Sequence, residues 1–211
     1  MKTALVAGAS GLVGSALVRM LLEASQYDQV HILVREQLNW IHPKLVQHVI
    51  DFEQLADFNF DTKTDDAFCT LGTTISKAGS KSAFYRVDHD YVISFAQKAH
   101  ALGASGFFVV SSMGAIPNSA IFYNSVKGKM EEDLKKIGFS RLGIFRPSLL
   151  LGPRMEKRAG EKFAGWVMQT LNFMIPPKFK AIHVDQVAKK MIETALQDEK
   201  GIFIHESDKL Q

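Results

Sequence analysis

The chain has 211 residues, 46% of them hydrophobic and 22% charged, with a net charge of +3 and a single cysteine. That length gives one domain, or one with a small appended lobe, and enough chain for a sizeable core. The balance excludes an internal disulfide, and no Lys/Arg run is dense enough to track nucleic-acid phosphates. No uncharged apolar stretch is long and unbroken enough to span a membrane. Met1-Lys2 followed by the uncharged run from Thr3 to Val18 mimics a secretory signal. The same run also reads as a buried strand and a glycine turn, and that reading places the protein in the cytoplasm. Cys69 sits in an apolar run, as a buried inert thiol does.

The first predicted strand, Thr3 to Ala7, leads into Gly8-Ala9-Ser10-Gly11-Leu12-Val13-Gly14, and Ser15 to Leu22 has the apolar spacing of a helix. Strand, glycine turn and helix together set a pyrophosphate against backbone N–H groups at a helix N-terminus. The spacing is G-x-x-G-x-x-G, whereas the usual dinucleotide fingerprint is G-x-G-x-x-G. Further strands are predicted at Gln29 to Arg35, Leu45 to Asp51 and Asp66 to Leu71, the last followed by Gly72-Thr73-Thr74. A helix follows over Ser82 to Leu102, stopped by Gly103. The fifth strand, Gly106 to Ser112, ends in two hydroxyls. A helix starting at Ser119 or its neighbours runs to Ile137, and Gly138 ends it. The sixth strand, Arg141 to Arg146, is stopped by Pro147. A helix over Val184 to Leu196 and a strand over Gly201 to His205 complete the chain.

Strands alternating with helices predict a doubly wound, Rossmann-like α/β fold, a parallel sheet with helices on both faces. The whole of 1–211 reads as one such domain. The irregular segment 151–182 is expected to serve as a lid on the substrate side. Ligands of such sheets sit beyond the carboxyl ends of the strands. Arg35, Asp51, Gly72-Thr73-Thr74, Ser111-Ser112 and Pro147 all fall there. A cation at the end of the second strand suits a phosphate, where a carboxylate would suit a ribose diol; an exposed cation snorkelling from the strand is the plainer account. Asp51 reads equally well as a turn or cap residue.

Tyr123 and Lys127 lie four apart on the helix after the fifth strand and so share a face. A phenol titrates near ~10, and an ammonium one turn away favours its ionised form. Ser111 or Ser112 can hydrogen-bond a substrate oxygen. Tyr123 as general acid, Lys127 as its tuner and a serine as polariser would support hydride transfer to a carbonyl. Y-x-x-x-K alone is more often a surface pair; the strand ending Ser-Ser and the opening glycine turn give it weight here. The seven histidines show no metal-ligand spacing. His183 reads as structural. Arg154, Lys157, Arg158 and Lys162 form a basic cluster beside the expected cofactor mouth, and the apolar run from Phe163 to Ile175 is expected to pack over the cleft.

Gly8 to Gly14, Ser111-Ser112, Tyr123 with Lys127, and the run from Phe145 to Pro153 together resemble the short-chain dehydrogenase/reductase superfamily. The glycine spacing, the Arg-Pro…Gly-Pro run and Ile182 to Ala188 resemble its extended and atypical branches, which include sugar-nucleotide epimerases. Asp51 to Leu55, Phe68 to Thr74, Arg86 to Val92 and Lys127-Gly128 resemble an atypical subgroup. The resemblance covers nearly the full chain. It implies that the backbone of Gly8, Ser10, Gly11, Leu12, Val13 and Gly14 holds the pyrophosphate. It implies that Arg35 meets an adenosine 2′-phosphate, hence NADP(H) before NAD(H), and that Asp51 and Phe52 flank adenine. Leu71, Gly72 and Thr73 would line the cofactor midsection, and Pro147, Leu149 and Leu150 would run beside the nicotinamide. The chain departs from the pattern at Glu36, where a member of that subgroup carries a second arginine, and at Asp88, where the extended branch usually places an asparagine nearby. Tyr123 follows Ser112 by eleven residues, a short interval, and Ser112 is the favoured polariser over Ser111.

The function expected is an NADP(H)-dependent oxidoreductase acting on a small-molecule carbonyl/alcohol pair. A sugar-nucleotide epimerase is one rival, with little chain after the sixth strand to hold the sugar nucleotide. A dinucleotide-binding sensor or interaction protein is the other. Related folds often pair as homodimers; the sequence itself leaves that open.

Overall fold

The computed structural model describes residues 1–58, 62–152 and 180–210. The basic cluster Arg154, Lys157, Arg158 and Lys162, the run from Phe163 to Ile175 and most of the expected 151–182 lid lie outside them.

Seven strands form one parallel sheet. In chain order they are β1 (Lys2–Ala7), β2 (Tyr27–Val34), β3 (Leu45–Val49), β4 (Asp66–Cys69), β5 (Gly106–Val110), β6 (Arg141–Arg146) and β9 (Gly201–Glu206), and across the sheet they run β3-β2-β1-β4-β5-β6-β9. This is the doubly wound order with one strand added at the β6 edge. The run that mimics a secretory signal begins in β1, an interior strand paired on both sides, and continues through the glycine turn into α1. β7 (Leu150–Leu151) and β8 (Ile182–His183) make a separate two-residue parallel ladder, unforeseen in the sequence.

Alternate side chains of each strand leave on opposite faces. Ala4, Val6, Val30, Ile32, Phe68 and Phe108 pack under α1 (Leu12–Glu23) and α6 (Val184–Ala195). Leu5, Leu33, Ala67, Cys69, Phe107, Val109 and Ile144 pack under α4 (Tyr91–Ala101) and α5 (Phe122–Ile137). Both faces are buried, which is why these strands read as continuous apolar runs.

Two expected helices change shape. The first starts at Leu12, so Leu12, Val13 and Gly14 form its opening turn. The helix expected over Ser82 to Leu102 is α3 (Lys81–Tyr85), a π-helical turn at Arg86–Asp90, and α4. A short helix, α2 (Ile75–Ala78), precedes it, N-capped by the Thr74 side chain. α5 begins at Phe122, three residues beyond Ser119, near which its start was expected.

Candidate cofactor and active site

The sheet order reverses between β1 and β4, and the crevice of a doubly wound sheet opens at the carboxyl ends of such a pair. Gly8 follows β1 with φ of 90°, a conformation that favours glycine. Its carbonyl accepts from Gly11 N at 2.9 Å and from Thr70 Oγ1 at 3.1 Å. A Cβ on Gly8 would lie 2.6 Å from the Thr70 carbonyl carbon, and one on Gly14 would strike Gly8 O and Thr70 Oγ1. The glycines therefore let α1 close onto the end of β4. Gly11 N-caps α1, and no side chain caps it. The first-turn N–H groups of a helix are donors with no intrahelical partner. Uncapped amides at the start of α1, brought to the crevice by this close glycine packing, fit a dinucleotide diphosphate. Ser10 is exposed, Leu12 half-buried and Val13 buried.

Around this turn, Arg35 and Glu36 are exposed at the end of β2. The Asp51 carboxylate accepts from Glu53 N at 3.0 Å and so caps the short 3-10 turn Phe52–Gln54. Phe52 is buried, its ring tilted against Tyr91 at 5.8 Å. Both residues expected to flank adenine thus already serve the fold at the end of β3. Glu53 accepts from Tyr91 Oη at 2.6 Å and pairs with Arg86 at 2.9 Å; the Tyr91 bond first, then Arg86, holds its carboxyl below the usual range.

Beyond β4, Leu71, Gly72 and Thr73 form the next turn. Asp88, fully buried in the π turn, accepts from Thr73 N at 2.8 Å through one oxygen and meets Lys127 Nζ at 2.8 Å through the other. Lys127 is 3% exposed. Burial opposes its charge, but Asp88 and then Tyr123 outweigh it, and the ammonium is held above the ordinary lysine pKa. Cys69 lies close by, its thiol pushed up to about 12 by burial.

The two serines beyond β5 part company. Ser111 Oγ donates to Glu131 Oε1 at 2.5 Å. Ser112 Oγ is buried and has no hydrogen-bond partner among the described residues. Tyr123 is half-buried in the first turn of α5, 5.3 Å from the ring of Phe84. Lys127 and Glu131 follow at four-residue steps, so all three residues form one stripe of the helix. Pro147 is buried after β6, Leu149 exposed and Leu150 half-buried. The Pro147 carbonyl accepts from Met113 N at 3.0 Å, which ties the two strand ends together. His183 N-caps α6 in a capping box with Gln186, the structural place expected of it.

Sequence reading missed the pair that braces this wall. Glu131 is 2% exposed and accepts from Arg146 Nε at 3.0 Å and Nη2 at 2.5 Å, while Arg146 Nη1 reaches Glu206 at 2.7 Å. An acid four residues beyond Lys127, on the same stripe, was the available signal. Nothing local in the sequence named Arg146 as its partner.

Residues 4–136 match the model of the NAD-dependent epimerase/dehydratase family. The protein HTATIP2 of rat is 33% identical over 207 residues, which is 95% of this chain and 84% of that protein. The protein FMP52 of Eremothecium gossypii, named as mitochondrial, is 33% identical over 204 residues, 94% of this chain and 90% of its own. Among solved structures, MoeE5 in complex with UDP-glucose and NAD superposes with a TM-score of 0.72 at 19% identity, over 96% of this chain and 74% of that one. A short-chain dehydrogenase/reductase family oxidoreductase of Burkholderia thailandensis gives 0.70 at 18%, over 99% and 92%. At those identities the structural likeness shows the fold alone.

Proposed function

The chain belongs to the NAD-dependent epimerase/dehydratase family, and from that premise we propose that it binds NADP(H) and catalyses oxidation or reduction of a small carbonyl/alcohol pair. The observation that carries the reading is the first turn of α1, which no side chain caps and which sits at the β1/β4 crevice because Gly8 and Gly14 let it pack against Thr70. Ser112 after β5, and Gly72 after β4 with Lys127 Nζ beside it, lie at the carboxyl ends of neighbouring strands of the same sheet. The turn from Gly8 to Gly14 would hold the diphosphate, Arg35 the 2′-phosphate, and Leu71 to Thr73 the midsection. Pro147, Leu149 and Leu150 would border the nicotinamide, and Asp51 and Phe52 the adenine. When bound, the nicotinamide donates or accepts the hydride.

The protein's own part is proton transfer and charge placement. Ser112 Oγ donates a hydrogen bond to the substrate oxygen, a use for a buried hydroxyl with no bond inside the described fold. Tyr123 passes its phenolic proton to that oxygen during reduction and takes one from the alcohol during oxidation. Lys127, kept as an ammonium, offsets negative charge on the phenolate.

A second reading is supported by the family model and by the UDP-sugar complexes among the structural neighbours. It is an epimerase that oxidises and re-reduces one substrate without net consumption of cofactor. As to compartment, we favour the cytoplasm, and the mitochondrial designation of the FMP52 relatives makes cell fractionation the deciding test.

Parallel calorimetric titrations with NADPH and NADH test the cofactor assignment. NADPH is expected to bind at least tenfold more tightly, and Arg35→Ala to remove most of that preference. An equal or reversed preference would overturn the role of Arg35. Tyr123→Phe is expected to lower turnover by 10²-fold or more, on the order of a general-acid contribution, with NADPH affinity within twofold of wild type. Turnover retained in that variant would remove Tyr123 from the chemistry.

A further inference from the structure

We propose that Asp88 is a positioning residue that fastens the cofactor-lining turn at Gly72 and Thr73 to Lys127 and keeps that lysine charged. The inference rests on the reading just given, in which Lys127 serves proton transfer and the turn lines the cofactor.

Three observations converge on Asp88. The first is backbone geometry. Asp88 sits in a π-helical turn, Arg86–Asp90, that interrupts otherwise α-helical chain between Lys81 and Ala101. Such single-turn π segments are rare and concentrate at functional sites. The second is connectivity. One carboxylate joins three segments, accepting from the Thr73 backbone N–H beyond β4 and meeting the Lys127 ammonium on α5, each at 2.8 Å. A Cβ on Gly72 would lie 3.5 Å from Asp88 Oδ1 and 3.9 Å from Lys127 Nζ, so the turn rests directly on the pair. The third is burial. The Lys127 and Asp88 side chains are 3% and 1% exposed. Replacing a buried ion pair by well-packed apolar groups is often neutral or stabilising, because both charges must be desolvated. Stability alone therefore gives little reason to keep this one.

The charge argument is specific to this lysine. The titratable groups that act on Lys127 are Asp88 from the π turn, Tyr123 from its own helix and Cys69 from β4. Cys69 stays a thiol across the neutral range, its pKa pushed up to about 12. Glu131, one turn further along α5, is committed to Ser111 and Arg146. Asp88 is thus the full negative charge that lets a buried Lys127 remain an ammonium. An asparagine at 88 would preserve an acceptor for Thr73 N–H and remove that charge. The two tasks of Asp88 can be separated by mutation on this basis.

The test compares wild type, Asp88→Asn and Asp88→Ala. Lys127 ionisation is followed by the pH dependence of its 13Cε signal, assigned by its loss in Lys127→Met. The wild-type signal is expected not to titrate below pH 10, and in Asp88→Asn it is expected to titrate at least one unit lower than in wild type. NADPH affinity, measured by calorimetry, is expected to fall tenfold or more in Asp88→Ala and to be restored to within about threefold in Asp88→Asn. An unchanged Lys127 titration in Asp88→Asn, or wild-type NADPH affinity in Asp88→Ala, overturns the proposal. If Asp88→Ala fails to fold, the lysine titration in Asp88→Asn decides alone. Wild-type protein that binds no NADPH would instead sink the function proposed above, and the lysine titration would still read the Asp88–Lys127 coupling.

Discussion

Ser111 and Ser112 carry the same hydroxyl one residue apart, and the extended chain turns them to opposite sides. Ser111 donates to a buried carboxylate, Glu131, at 2.5 Å. Ser112 is buried without a bond among the described residues. Their replacements by alanine should therefore differ in kind. Ser112→Ala is expected to lower kcat by roughly 10²-fold, on the scale of losing one donor to a developing oxyanion, and to leave the unfolding midpoint in urea near wild type. Ser111→Ala is expected to cost about 1.5–3 kcal/mol of stability, the range for hydrogen bonds to charged groups, with kcat changed less than in Ser112→Ala. The reverse pattern would exchange the two roles. The sequence reading favoured Ser112, although its interval to Tyr123 is the shorter of the two. It could not reveal why Ser111 is engaged, since that depends on a carboxylate twenty residues away. Asp51 shows the converse: its side chain caps a turn, one of the two uses that its position in the sequence left open.

At the scale of elements, α5 is the piece on which the proposed chemistry depends, and two buried ion pairs hold it. Lys127 is tied to the π turn and Glu131 to the end of β6, on the same helical stripe as Tyr123. Gly128 lies between them, where a Cβ would run into the backbone of Ile116 and Pro117, so the helix sits hard against the loop leading from β5. Among the described residues, removing Glu131 would leave Arg146 with only Glu206 and Ser111 with no acceptor. Breaking a buried pair in this way costs about 3–5 kcal/mol. With the Arg146 side chain 19% exposed, Glu131→Ala is expected near the lower end, about 3 kcal/mol by urea denaturation. A loss below about 1 kcal/mol would mean that α5 is held by its apolar face alone. The apolar spacing and Gly138 made α5 legible in the sequence to within a few residues at its start and at its end. The π turn was not legible. The same residues satisfy a continuous α-helical pattern, and only tertiary contacts to Thr73 and Lys127 give the extra residue per turn a purpose.

At the scale of the whole molecule, alternating strand and helix signals were enough for a doubly wound parallel sheet, because each strand is buried on both faces and each helix on one. What they could not show is which residues meet across the sheet. Asp66 reads as an ordinary strand start, yet it accepts from Tyr27 at 2.8 Å, Lys2 at 2.9 Å and Arg141 at 2.8 Å, partners 39, 64 and 75 residues distant. His31 and His48 likewise looked scattered. They lie on adjacent strands with rings stacked 5.1 Å apart and Nδ1 of His31 2.8 Å from Nε2 of His48. The other nitrogen of His31 lies 3.1 Å from Gln29 Oε1. A bond between two imidazoles needs one of them to act as acceptor, which a doubly protonated ring cannot do. Burial first, then the neighbouring His48, lowers the His31 pKa to about 4, and burial lowers that of His48 as well. The unfolded chain takes up a proton at each histidine near ~6.5, while the folded pair resists it. The stability that comes from keeping His31 neutral is therefore complete above pH 6.5 and is lost as pH falls towards 4, because the unfolded state binds more protons over that window. For this one residue the loss is roughly 1–3 kcal/mol. Urea unfolding of wild type and His31→Leu at intervals between pH 7.5 and 4.5 measures it. The stability difference between the two proteins should shift by that amount in favour of the variant as pH falls, since carboxylates common to both cancel in the comparison. Parallel curves across the whole window would mean that the histidine pair is protonated in the folded protein as readily as in the unfolded chain.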